Sequence, residues 1–154
     1  QMLIGQSING FTIGQYPIKS NIDQIKLKRE LSSQECEMIG LTFKGERIFN
    51  TPRAEKFGTK WDTIIGVINK KVYKITAVSD EMYANKLNSV FKAVFSDLKS
   101  LYGQPSQHMD AGVNGSVDVW ILNDGNIVLN RVKISNQIQI SITSDIAIKE
   151  GIRK

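Results

Sequence analysis

His108 and Cys36 are the single histidine and the single cysteine of this 154-residue chain, so most side-chain chemistry would have to pass through one of them. Zinc sites draw several Cys or His ligands at characteristic spacings, and these two lie in separate segments. A carboxylate site would need Asp110 and Asp118, but Gly112 to Ser116 lacks the acidic ladder of a calcium loop. Nucleophilic hydrolysis would take Cys36 or a serine with His108 as base. The apolar neighbour Met38 marks Cys36 instead as a buried structural thiol. His108, among Gln107, Met109 and Asp110, sits in a polar, flexible-looking stretch that suits a wet surface or a partner contact.

Phosphate-binding glycines stand between a strand and the helix it opens. Gly112-Val113-Asn114-Gly115-Ser116 precedes a strand, so its glycines serve chain reversal. Asp118 and Asp124 flank a hairpin, where charge ordinarily marks exposure and turn formation. No catalytic residue, cofactor or metal ligand is therefore expected.

Charge says more. The net charge of +5 is carried by residues 44–78, where eight basic side chains meet three acidic ones, while the segments on either side balance. Such a surplus steers an acidic partner. The candidate partner-binding face is Arg53, Lys56, Lys60, Lys70 and Lys71, with His108 and Asp110 as a second rim. Phe43, Phe49, Phe57, Trp61 and Tyr73 lie among these cations, and a basic groove with aromatic platforms is also how single-stranded nucleic acid is held. A small domain needs the same aromatics for its core.

The elements that must position these residues are read from periodicity. Tyr83, Leu87, Val90, Phe91, Val94, Phe95, Leu98, Leu101 and Tyr102 recur at three- and four-residue steps and predict an amphipathic helix over about residues 80–102. Ser79 or Asp80 is the expected cap, and Gly103 with Pro105 the stop. Trp61–Ile68 and Lys71–Val78 read as strands joined at Asn69-Lys70, a tight hairpin turn. Pro52 is expected to end the strand before them. Val117–Leu122, Ile127–Ile134 and Gln137–Thr143 follow, the first two joined around Asp124-Gly125. Ile138, Ile140 and Ile142 alternate with polar residues, so that strand has one buried and one wet face. Residues 103–116 read as a long loop, Ile8–Ile13 as a short strand, and Ser20 with Asp23 as the capping box of a short N-terminal helix.

The run Leu98 to Pro105, then Trp120 and the Asp124-Gly125 turn before alternating Ile and Leu, resembles a layout of small bacterial domains and exported accessory proteins. Helix termination and hairpin formation explain those residues, so the resemblance implies no active site.

The expected fold is a single α+β domain over 1–154: an antiparallel sheet with one long amphipathic helix on one face, plus the short N-terminal helix. No stretch reaches the ~20 apolar residues that span a bilayer. The chain begins on Gln without the basic and apolar regions of a signal peptide; a Gln start fits either the remnant of a removed export signal or a truncated chain, and periplasmic or secreted location is slightly favoured over cytoplasmic. The expected function is non-catalytic protein recognition, as an accessory or inhibitory subunit of a bacterial system. Nucleic-acid binding through residues 44–78 is the alternative, and a small enzyme the third class.

Overall fold

Asn69 and Lys70 both adopt positive φ, 51° and 64°, the geometry a two-residue hairpin turn requires and asparagine tolerates. Around that turn the computed structural model, which describes residues 7–14, 18, 20–39 and 45–146, lays out one eight-stranded antiparallel sheet. In chain order the elements are β1 (Arg29–Glu30), α1 (Ser33–Ile39), β2 (Arg47–Lys56), β3 (Thr59–Ile68), β4 (Lys71–Ser79), α2 (Ala84–Tyr102), β5 (Gln107–Asp110), β6 (Gly115–Leu122), β7 (Gly125–Val132) and β8 (Gln137–Ser144). Three-residue 3-10 turns fall at Ile8–Gly10, Ile22–Gln24 and Gly112–Asn114. The described fold is mostly β, with one main helix.

The strand order is β1-β2-β3-β4-β8-β7-β6-β5. Two meanders, β2-β3-β4 and β5-β6-β7-β8, meet where β4 pairs with β8, and α2 links them in the chain. Residues opposite one another across strands share a face. One such row runs Thr51, Thr63, Ala77, Ile140, Leu129, Asp118, His108, from β2 to the edge at β5. Every member but His108 is buried.

This face carries the main core. Leu87, Val90, Val94, Leu98 and Tyr102 of α2 join Trp61, Trp120, Ile127, Ile138, Ile140 and Ile142 in one apolar cluster. The N-terminal residues Ile8, Phe11 and Ile13 belong to it as well, yet they form no strand. They are held by the carboxylate of a hairpin-turn residue: Asp124 accepts from the Ser7 hydroxyl at 2.8 Å and from the Ile8 N–H at 3.1 Å.

The opposite face is covered in patches. Leu31 and Ile48 cluster with Cys36 of α1. Between the Gly66/Lys74 and Val67/Val72 pairs the register slips, and the extra residue, Tyr73, packs with Ile68 away from the main core. A Cβ on Gly66 would stand 2.7 Å from the Tyr73 ring, so only glycine admits that approach. Gln137, Gln139, Ser141 and Thr143 are half-exposed, as the alternation in β8 predicts.

Several expectations change. The helix starts at Ala84, and its cap is Tyr83, 90% exposed and outside the apolar stripe. Ser79 instead ends β4, where its hydroxyl accepts from Ile138 N–H at 2.9 Å. Phe91 and Phe95 flank the stripe half-buried. Pro52 does not end β2, because a bulge between Thr51 and Ala54 absorbs the missing donor. The capping box yields only the turn Ile22–Gln24, capped by Asn21, whose side chain accepts from Asp23 N–H at 2.9 Å. The first α-helix is α1 instead, within a stretch whose polarity masked it. β7 ends at Val132, leaving Ile134 exposed in a turn. Pro17, Leu41, Phe43 and Lys44 lie outside the described residues.

Candidate functional site

The predicted loop 103–116 contains β5, and β5 brings the one histidine into the fold. Its register with β6 sets His108 opposite Asp118 and Asp110 opposite Ser116. Since Asp118 shares its inward row with Leu129, its carboxylate is on the core face, where charge is costly unless paired. His108 supplies the pairing, with Nδ1 2.5 Å from Asp118 Oδ1. The carboxylate side chain is 3% exposed and the imidazole 55%. This corrects the expectation that Asp118 marks an exposed hairpin flank. An inward acid fixes the ring and its proton on Nδ1, leaving Nε2 for another partner.

A slot of about 290 Å³ opens beside this pair, between the sheet edge and α2. Phe91, Phe95, Gln104 and Pro105 line one side; His108, Ser116 and Asp118 line the other. The two phenylalanines stack at 6.0 Å between centroids, and Phe95 leans on Trp120 at 5.7 Å. The Arg131 guanidinium lies 5.0 Å over Phe91 and also donates to Asn88. Arg131 Nε is buried with no hydrogen-bond partner among the described residues. An apolar wall with a few convergent polar groups is the usual makeup of a small recognition site.

The other expected site residues fall elsewhere. Arg53 is engaged by two carboxylates, Asp62 at 2.9 Å and Asp80. Lys56 donates to the Thr12 carbonyl and sits 5.1 Å over both Phe11 and Phe57. Lys60 stands exposed opposite Glu55. These three cluster at the β2–β3 turn, whereas Lys70 and Lys71 are exposed at the far end of β3, roughly 25–30 Å away at strand rise. The structure therefore brings the five cations to two places, not one. Asp110 is exposed on β5, and its Oδ1 accepts from Gly112 N–H at 2.7 Å. Of the aromatics in residues 44–78, Phe49, Trp61 and Tyr73 are buried, and Phe57 stacks on Phe11 at 6.0 Å. Cys36 is a buried free thiol. No group of three or more His, Cys, Asp or Glu able to hold a metal occurs among the described residues, and none of their helices is long and apolar enough to cross a membrane.

Sequence reasoning missed Asp118, Ser116, Phe91, Phe95 and Arg131 as site residues. One signal was present. Asp118 has the strand parity of Trp120, so an inward Trp120 makes Asp118 inward too.

Comparison of the chain with family models, curated proteins and solved structures gives no match.

Proposed function

We propose that this domain is a non-catalytic protein-recognition module that binds an extended segment of a partner along β5. The observation that carries the reading is the contrast between the two sheet edges. Edge strands invite pairing with other chains unless they are short, charged or covered. β1 is two residues long and ringed by ion pairs, Arg29–Glu35 at 2.7 Å and Glu30–Arg47 at 2.6 Å. β5 is twice as long, its four residues are exposed, it contains no lysine, proline or bulge, its one carboxylate, Asp110, is engaged by Gly112 N–H, and it has no strand beyond it among the described residues.

The backbone pattern gives the edge a direction. Ala111 N–H donates to the Gly115 carbonyl at 2.8 Å. Antiparallel pairs alternate, so His108 and Asp110 turn their N–H and C=O groups outward. A partner strand would take those groups and set alternate side chains over the slot, the strand-addition mode of peptide recognition. The cations at either end of the β3–β4 hairpin supply long-range steering of an acidic partner, not the contact itself.

The test uses a heptapeptide display library panned on the domain, with binders remeasured on two variants. Asp110→Pro removes an outward N–H and Asp110→Ala keeps it. Loss of binding in the first with retention in the second, both folded, supports strand addition; equal binding by both overturns it.

A second reading rests on the same His108–Asp118 pair, since an imidazole so held can act as a general base. Turnover of a slot-bound ester by the wild type and not by His108→Gln would favour it.

A further inference from the structure

We propose that the slot between α2 and β5 takes a phenol, the side chain of a tyrosine on the added strand, with His108 Nε2 accepting its hydroxyl. The inference rests on the strand-addition reading and specifies which residue that segment must carry.

The walls call for an aromatic ring. Phe91 and Phe95 offer two stacked rings, and Trp120 behind Phe95 keeps that wall from yielding. Aromatic pairs in offset or tilted arrangement gain more than their buried area alone provides. The volume, about 290 Å³, suits one aromatic side chain and lies below the usual range for drug-sized ligands.

The polar end selects the hydroxyl. Asp118 is buried with Oδ1 against His108 Nδ1; a carboxylate can only accept, which places the proton of a neutral imidazole on Nδ1 and turns a lone pair outward at Nε2. A phenol donates to that nitrogen while its ring lies against the phenylalanines. Leucine or phenylalanine in the same place would leave Nε2 desolvated without a partner, an uncompensated cost. Phosphotyrosine is disfavoured for a different reason. The described lining contains a carboxylate and no lysine or arginine, whereas phosphate recognition needs cations or a nest of amides. Arg131 is turned to Phe91 and Asn88 instead.

Strand alternation then predicts the tyrosine's neighbours. The residue opposite His108 points to the helix side, and those before and after it point to the other face. There Met109 is 68% exposed beside half-buried Val117 and Val119. The expected motif is therefore apolar, tyrosine, apolar, in an extended segment.

The experiment measures binding of four capped, fluorescently labelled heptapeptides, Thr-Thr-Val-Xaa-Val-Thr-Thr with Xaa as Tyr, Phe, Leu or phosphotyrosine, to the full chain. The tyrosine peptide should bind best, Phe about 3–10-fold more weakly for one hydrogen bond, Leu more weakly still, and phosphotyrosine not measurably. His108→Ala should bring Tyr and Phe to parity. N-acetyltyrosinamide, which cannot add a strand, should perturb His108 ring resonances in NMR more than N-acetylphenylalaninamide does. Equal binding of Tyr, Phe and Leu peptides, abolished by Asp110→Pro, would overturn the phenol assignment and leave strand addition standing. Tyrosine preference unaffected by Asp110→Pro would leave the slot standing and remove the added strand. Binding by none of the peptides, with no N-acetyltyrosinamide shifts, overturns the phenol assignment outright.

Discussion

His108 Nδ1 meets Asp118 Oδ1 at 2.5 Å across the β5–β6 pair, joining a largely exposed ring to a buried carboxylate. Removing the ring strands the acid. His108→Ala should therefore cost about 1–3 kcal/mol, the penalty for a buried acceptor left without its donor. Asp118→Asn, which can still accept from Nδ1–H, should cost less. Urea denaturation of both variants measures the difference; equal losses would show that the carboxylate charge, rather than its hydrogen bond, governs the site.

The two kinds of apolar residue on α2 should separate in the same assay. Leu98 has no exposed surface, and Leu98→Ala should cost about 2–5 kcal/mol through lost transfer energy and the cavity left behind. Phe91 is half-buried at the slot. Phe91→Ala should cost less than Leu98→Ala and should weaken peptide binding, which Leu98→Val at equal folded fraction should not.

At the β1 edge, the hydrogen bonds from Arg29 and then from Ser32 N–H hold the Glu35 carboxyl at about 2, below its ordinary 4.5. The unfolded chain takes up that proton first as pH falls. The pair thus stabilises α1 fully above the ordinary carboxylate range, and its contribution is lost as pH drops from about 4.5 through about 2. Carbon-detected NMR titration should show the depressed midpoint, and Arg29→Ala should return it toward the ordinary range.

The alkaline side has a counterpart. Burial, and then Glu46, which accepts its hydroxyl, raise the Tyr73 phenol; burial raises Tyr102, whose hydroxyl donates to the Ser7 carbonyl at 2.7 Å. Both contributions to stability are complete below the ordinary phenol value of 10.0 and are lost as pH rises beyond it toward the folded values. Absorbance at tyrosinate wavelengths should show these two rings ionising only with unfolding. Tyr73→Phe and Tyr102→Phe should each remove part of that late step.

What could be read in the residues was whatever burial writes as a period. Leu87, Val90, Val94 and Leu98 recur at helical steps, and Ile138, Ile140 and Ile142 at strand steps, because each has one buried face. β5 escaped because all four of its residues are exposed, so no alternation is written into Gln107–Asp110. Pro52 misled because a bulge excuses it from the ladder. The site itself was half legible. His108 stands out by type, but Asp118 joins it through a register between strands, which no local pattern contains. The basic residues were legible as charge, whereas their division between the two ends of β3 is a matter of strand length.

The strand order has a kinetic consequence. β2-β3-β4 and β5-β6-β7-β8 each pair through neighbours in the chain, but the sheet closes only when β4 finds β8, whose partners Lys74 and Thr143 are far apart in sequence. Distant pairings come late because loop closure precedes their reward. Until then each half carries a raw central edge, tethered to the other by α2. At high concentration during refolding, β4 of one molecule can meet β8 of another before its own. The characteristic misassembled species should be a reciprocal dimer exchanged through the helix, with every native strand pair retained.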